Sequence, residues 1–413
     1  MKKVAVLLVV LLLLSSLVGC GGGTSSSGSS GSGSQNAGTP SEGASTPSES
    51  TSGGEAEFDG EITIGVLIPI TGSSAQNGVM ITNGIQMAVE KVNDAGGIQG
   101  KKVVLVIEDS DSIADTAING MNKLLANDKI SAIIGPILSL QVFAVEANVA
   151  RYDVPVVHGG TNLRIPALGN KQMFSGRAND MIVAKAAARY LVETYNPKKV
   201  AILATTEDYG AGGMEVASTF YDEIGQDYII EQFDGSIADL TGVLLNVKNA
   251  GCDAILNWTL GGWLVMARQL YEQGLDQLPI IGGPGTSDQN TLKLMQPEWY
   301  EGNDVACDFV PSSTAPLAAA FVEAFEKRMN LPPDNVAASY YSMADMLLHA
   351  MMEYTTDATN REQVREALLQ VDGFESVVGT FYANPTTQQL YWQTNIAKFV
   401  NGELTFIERV DGR

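Results

Sequence analysis

From residue 58 to residue 413 the chain alternates strand-type and helix-type patterns at short spacing, and this rhythm limits the possible folds more than any other feature. Residues 62–69 form an apolar run of strand length, rich in β-branched side chains. A turn with helix-capping residues follows at Thr71-Gly72-Ser73-Ser74, then a helix pattern over 75–93. Ile85, Ala88, Val89 and Val92 stand at i, i+3, i+4 and i+7 and give that helix one apolar face, and Gly96-Gly97 supplies its stop. The pattern predicts further strands over 102–108, 131–135 and 155–158, and helices over 114–127 and 142–152. In the first of these helices Ala117, Met121, Leu124 and Leu125 face inward.

A second series starts near Asp180, with helices over 182–194, 212–224, 240–250 and 263–273 and strands over 200–205, 228–233, 254–258, 279–282 and 305–309. Helices over 317–329, 336–354 and 361–369 precede strand-like stretches at 379–382 and 391–400, late enough to return to a sheet already built. Strands alternating with helices in this way imply βαβ units and parallel sheets. The body is long for one core. The expected fold is therefore α/β, with two doubly wound parallel-sheet lobes. A ligand cleft belongs between the lobes, at the carboxyl ends of the strands. The loops expected to face it are 71–77, 137–141, 159–162, 207–212, 258–262 and 283–288.

The first 57 residues read differently. Lys2 and Lys3, an apolar stretch over 4–14 and Leu17-Val18-Gly19-Cys20 have the order of a secretion signal, with an apolar core shorter than the roughly 20 residues of a membrane span. Residues 21–57 are almost entirely Gly, Ser, Thr, Pro, Ala and Glu, which cannot offset the entropy of ordering. Such a linker has an r.m.s. reach of roughly 35 Å. The Leu17-Val18-Gly19-Cys20 ending resembles the lipobox of bacterial lipoproteins. That resemblance implies a cleaved leader at 1–19, a lipid anchor on Cys20 and an extracytoplasmic body on a leash, at the cell surface or in the periplasm.

A formal charge of −22 argues against nucleic acid and against an anionic lipid surface as partners. Cys252 and Cys307 leave pairing open, and two distant histidines, His158 and His349, make no metal-ligand cluster. No cofactor is expected. An exported enzyme is the weaker alternative: the chain has no Gly-x-Ser-x-Gly elbow, no His-Glu-x-x-His and no P-loop, and the close pair Asp109 and Asp111 reads as turn or capping chemistry.

Ile64-Gly-Val-Leu-Ile-Pro-Ile-Thr-Gly72, Gly84, Asn93-Asp-Ala-Gly-Gly-Ile-Gln-Gly100, the stretch 104–111, Ile133-Ile-Gly135 and Asp208-Tyr-Gly210 occur in an order and spacing that resemble one family. The body is similar to the type I periplasmic binding proteins of the leucine/isoleucine/valine-binding group, the substrate-capturing subunits of ABC importers. The resemblance implies two lobes joined by a multi-strand hinge, lobe I at 58–178 and 310–380 and lobe II at 179–309 and 381–413. It also implies a non-enzymatic monomer that closes on a small amino acid or related carboxylate and delivers it to an ABC permease in the cytoplasmic membrane. A sensor of the same fold, reporting closure to a membrane receptor, is the alternative. In this group a serine hydroxyl, backbone N–H groups and a threonine of the first lobe hold the ligand carboxylate. Ser139 and Gly159-Gly160-Thr161 stand at those positions, and Asn77 at the pocket mouth. Tyr209 matches a cleft tyrosine, and Trp258 or Thr259 a second aromatic position. One position departs: Gly285 replaces the acid that holds an α-ammonium. A desolvated ammonium needs a counter-charge. Either Asp208, Asp288 or another acid substitutes, or the ligand is an amide, a urea or an aromatic acid.

Overall fold

The computed structural model describes residues 58–413; the leader, Cys20 and the linker assigned above lie outside the described residues. The first strand, β1 (Glu61–Ile68), is buried at every position after its first. Helices cover both faces of its sheet, which is why it reads as an unbroken apolar run rather than an alternating one. It pairs in parallel with β2 (Lys102–Asp109) and β3 (Ile130–Ile134). Two three-residue strands, β4 (Val156–His158) and β5 (Met173–Ser175), complete a parallel sheet of order β2-β1-β3-β4-β5. The connecting helices are α1 (Ala75–Asp94), α2 (Ala114–Leu125) and α3 (Ser139–Val149). The inward residues expected for α1 and α2 are all buried.

The second sheet is built from α4 (Asp180–Tyr195), β6 (Lys199–Thr205), α5 (Asp208–Ile224), β7 (Asp227–Phe233), α6 (Thr241–Asn249), β8 (Ala254–Trp258), α7 (Trp263–Glu272), β9 (Ile280–Gly282), α8 (Gln289–Leu292) and β10 (Asp304–Cys307). The chain then leaves it as α9 (Pro316–Met329), α10 (Asn335–Tyr354) and α11 (Arg361–Leu368). α10 lies so close along α1 that a Cβ on Gly84 would fall 2.4 Å from the Ala337 carbonyl oxygen. Arg328 of α9 also reaches Asn83, Gln86 and Glu90 of α1. These helices therefore cover the first sheet. A short hairpin, β11 (Asp372–Glu375) and β12 (Thr380–Tyr382), precedes β13 (Gln393–Val400) and β14 (Glu403–Asp411). β13 pairs antiparallel with β10 and with β14, so the second sheet, β14-β13-β10-β9-β8-β6-β7, is mixed rather than wholly parallel.

Three segments cross between the sheets: 176–179, 308–315 and 383–392. Buried hydrogen bonds tie them together. The Gln389 amide donates to the Arg177 carbonyl at 2.6 Å and accepts from Asn179 Nδ2 at 3.1 Å, and Asn395 Nδ2 donates to the Asp308 carbonyl at 2.8 Å. Cys307 ends β10 and Cys252 precedes β8, with β9 between the two strands; both thiols are buried and unpaired.

Candidate functional site

A cleft of about 780 Å³ opens between the carboxyl ends of the two sheets. On the lobe I side, α3 starts at Ser139, three residues before the expected 142. The buried Gln141 amide explains the early start: it donates to the carbonyls of Ser110, Asp111 and Ile113 and holds the first turn. Ser139 is thus the first helical residue and lies on the cleft wall. The positive end of the α3 dipole lies there too, a setting suited to an anion. The Ser139 hydroxyl accepts the N–H groups of Thr161 and Asn162 at 3.3 and 3.2 Å, joining the α3 start to the loop after β4. Thr161, Gly159 and Asn77 also line the cleft. Gly159 has no room for a side chain, since a Cβ would sit 2.3 Å from the Tyr340 hydroxyl. Gly160 is set back from the wall, against Val142 and Ile165.

On the lobe II side, α5 begins at Asp208, four residues ahead of the expected 212, with the Glu207 carboxylate capping it through the Gly210 N–H. Gly210, Gly212 and Gly213 weaken the helix signal in the sequence, yet each is needed for close packing. A Cβ on Gly213 would meet the Trp258 indole at 1.9 Å, and one on Gly210 the Thr205 carbonyl oxygen at 2.1 Å. Tyr209 therefore rides the first turn of α5 and lines the cleft. Trp258 does not reach the wall. It is fully buried and stacks behind the Tyr209 ring, with centroids 5.7 Å apart and planes 23° apart. Thr259 is also set back, its hydroxyl donating to Asn257 Oδ1 at 2.9 Å. The expectation that one of these two faces the ligand is corrected by the fold: β8 runs to Trp258 and buries it under α5. Gly285 lies on the wall, with only the Thr259 carbonyl oxygen near a would-be Cβ.

The wall is acidic. Glu207, Asp234, Asp288 and Asp334 line it, and Arg177 is the one cationic side chain there among the described residues. The Arg177 charge is already matched, because its guanidinium is buried against Asp308 at 2.5 Å. Asp334 caps α10 through Oδ1, which accepts the Ala337 N–H at 2.8 Å, while its buried Oδ2 has no partner. Burial, assisted by the negative charge of Asp288, pushes the Asp334 carboxyl up to about 7. Burial also raises the Asp180 carboxyl well above its ordinary range, with the Thr161 side chain and the Arg177 charge acting the other way. Asp208 does not line the wall, and its carbonyl accepts from Asn162 Nδ2. Asp109 and Asp111 are turn residues: Asp109 accepts from Ile70, Thr71 and the Asp111 N–H and so fixes the loop after β1.

Arg177 and Asp334, both on the cleft wall, were absent from the sequence-based site. Arg177 sits in a crossing segment between patterned elements. Asp334 follows Pro332-Pro333 and carries the ordinary signature of a helix cap. Among the described residues, no group of three or more His, Cys, Asp or Glu side chains is placed to hold a metal ion.

Comparison with known proteins agrees with this architecture. The family described as "Periplasmic binding protein" matches residues 61–403. The chain is similar to the Leu/Ile/Val-binding protein homolog 3 of Brucella melitensis, 26% identical over 361 residues that cover 84% of this chain and 94% of the relative. Its structure is similar to that of the branched-chain amino acid transporter substrate-binding protein LivJ from Streptococcus pneumoniae in complex with isoleucine. The TM-score is 0.76 at 25% identity, over 85% of this chain and 99% of that one. It also resembles a solute-binding protein of an ABC transporter from Rhodopseudomonas palustris in complex with 3,4-dihydroxybenzoic acid, with a TM-score of 0.75 at 21% identity, over 85% and 98% of the two chains. Two α/β lobes, a three-segment hinge, a cleft between them and a match over most of the length lead to one conclusion: the chain belongs to the periplasmic binding protein family.

Proposed function

We propose that this chain is the extracytoplasmic solute-capturing subunit of an ABC importer, anchored through Cys20 and delivering a small carboxylate-bearing solute, of the branched-chain amino acid class, to its permease. One observation carries the reading: polar groups from both lobes line a single cleft that spans the hinge. A solute held by both walls stabilises the closed arrangement over the open one, and that difference in affinity is what closure requires. The start of α3, with Ser139, Thr161 and the loop at Gly159, supports a carboxylate site. Tyr209 supports an aromatic wall on the other side. The names of the relatives, which refer to leucine, isoleucine and valine, support the solute class.

The test is ligand-dependent stabilisation, since a solute that binds only the folded state raises the melting temperature by mass action. The full chain is melted with and without a panel of amino acids, amides and organic acids, and the solute released from freshly purified protein by denaturation is identified by mass spectrometry. A rise with a carboxylate-bearing solute, reduced in Ser139→Ala and Thr161→Ala, is the expected result. No shift across the panel and no released solute would overturn the reading.

A further inference from the structure

Resting on the solute-binding reading above, we propose that Gly285 sets the size of the solute, and that the space over it admits carboxylates bearing a ring wider than a branched alkyl chain. Among the described residues, five glycines line the cleft: Gly159, Gly235, Gly261, Gly262 and Gly285. The fold requires the first four. A Cβ on Gly159 would sit 2.3 Å from the Tyr340 hydroxyl, and one on Gly235 2.4 Å from the Leu260 carbonyl oxygen. Gly261 and Gly262 hold φ angles of 80° and 69°, in the left-handed region that favours glycine. Gly285 has neither reason. It lies within one turn of 3-10 helix, Pro284–Ser287, outside the left-handed region. A Cβ there would meet the Thr259 carbonyl oxygen at 3.2 Å and nothing else within 4 Å.

The turn itself favours a side chain at this position. Pro284 fixes its start, and the Thr286 and Ser287 hydroxyls donate to the Gly283 and Pro284 carbonyls at 2.7 and 2.8 Å. In such a turn glycine is less stable than alanine, because it has more backbone freedom to lose. Gly285 thus weakens a turn that its neighbours already define, and what it provides is space in the cleft. A Cβ on Gly283, two residues earlier, would meet the Tyr209 hydroxyl at 2.6 Å and the Trp258 ring at 3.1 Å, so that space adjoins the Tyr209 side of the wall. Leu260, Leu264 and Leu294 add apolar lining from the same lobe. At about 780 Å³ the cleft falls within the roughly 300–1,000 Å³ of sites that enclose drug-sized molecules. A ring has a flat face to lay over a wall without a side chain. A short alkyl chain leaves part of that wall bare, and a void forfeits contact energy.

The probes are valine, leucine, phenylalanine and tryptophan, titrated calorimetrically into the full chain and its Gly285→Ala and Gly285→Val variants, beside thermal melts of each ligand-free protein. The wild type should bind phenylalanine or tryptophan at least as tightly as valine. Carbon added at position 285 should then penalise the larger solutes first. Gly285→Val should weaken the ring-bearing amino acid by at least about tenfold more than it weakens valine, with Gly285→Ala in between. Ligand-free Gly285→Ala should melt at or above the wild-type temperature, whereas Gly159→Ala, which has no room for its methyl group, should melt lower. No loss, a loss equal for all four solutes, or a lower melting temperature in Gly285→Ala would overturn the proposal. Valine or leucine bound without either ring would also overturn it and leave the solute-binding reading standing. A wild-type chain that binds none of the four counts against that reading and takes the proposal with it.

Discussion

Arg177 and Asp308, on two different crossings of the hinge, form a buried ion pair with Nε 2.5 Å from Oδ2. Asp308 also accepts the Ser339 hydroxyl at 3.0 Å, and its N–H donates to Asn335 Oδ1 at 2.8 Å. The pair thus joins the floor of the cleft to the start of α10. Removing one member leaves the other charge buried with little to replace it, since the Gly159 carbonyl, at 3.4 Å, is the remaining acceptor near Arg177. Asp308→Ala should cost about 3–5 kcal/mol in urea unfolding. The double replacement Arg177→Met with Asp308→Leu should recover most of that loss, because neither charge is then stranded.

Tyr209 and Trp258 separate packing from binding. Trp258 is fully buried behind the stack, so Trp258→Ala should destabilise the chain by about 3–5 kcal/mol, read by thermal or urea unfolding. Tyr209→Phe keeps the ring, and the hydroxyl it removes is buried without a partner. Its ligand-free stability should stay within about 1 kcal/mol of wild type or rise, while solute affinity falls.

His158 is a core histidine. It is buried, and burial lowers its imidazole to about 4, so the neutral ring is the folded form. The folded value lies below the unfolded one of about 6.5. Its contribution is therefore fully present above about pH 6.5 and is lost as the pH falls towards 4. At full loss the shift corresponds to about 3 kcal/mol. Urea unfolding of wild type and His158→Gln at pH 7.5, 6, 5 and 4.5 checks the sign: the gap between them should narrow or reverse on acidification. A gap independent of pH would remove His158 from the acid response.

Much of the fold was legible because its strands are buried on both faces and its helices keep one apolar stripe, signals that survive in a single sequence. The elements that were missed lack such a signal. β5 is three residues long, and β14, at an edge, is mostly exposed. The starts of α3 and α5 were masked by residues that serve tertiary contacts, Gln141 in one case and the glycines around Gly213 in the other. Ser139, Thr161 and Tyr209, where motif and loop coincide in the sequence, lie on the cleft wall. The burial of Trp258 was not legible, because it depends on a helix crossing over it, nor was the place of Asp334, which reaches the cleft only because α10 returns to lobe I.

Asp334 makes stability depend on pH. Its folded value of about 7 exceeds the ordinary 3.8, chiefly through burial, with Asp288 the facing charge and the N–H groups of Ala337 and Val336 acting the other way. The neutral acid favours folding, so this contribution is complete below about pH 4 and is lost as the pH rises through about 7. Asp334→Asn should accordingly stabilise the ligand-free chain relative to wild type at pH 8 by an amount on the order of 4 kcal/mol, and by little at pH 4. Urea unfolding of the ligand-free wild type and Asp334→Asn at pH 8, 7, 6 and 4 reads the effect: the gap between them should narrow as the pH falls, and a gap independent of pH would remove Asp334 from the alkaline response.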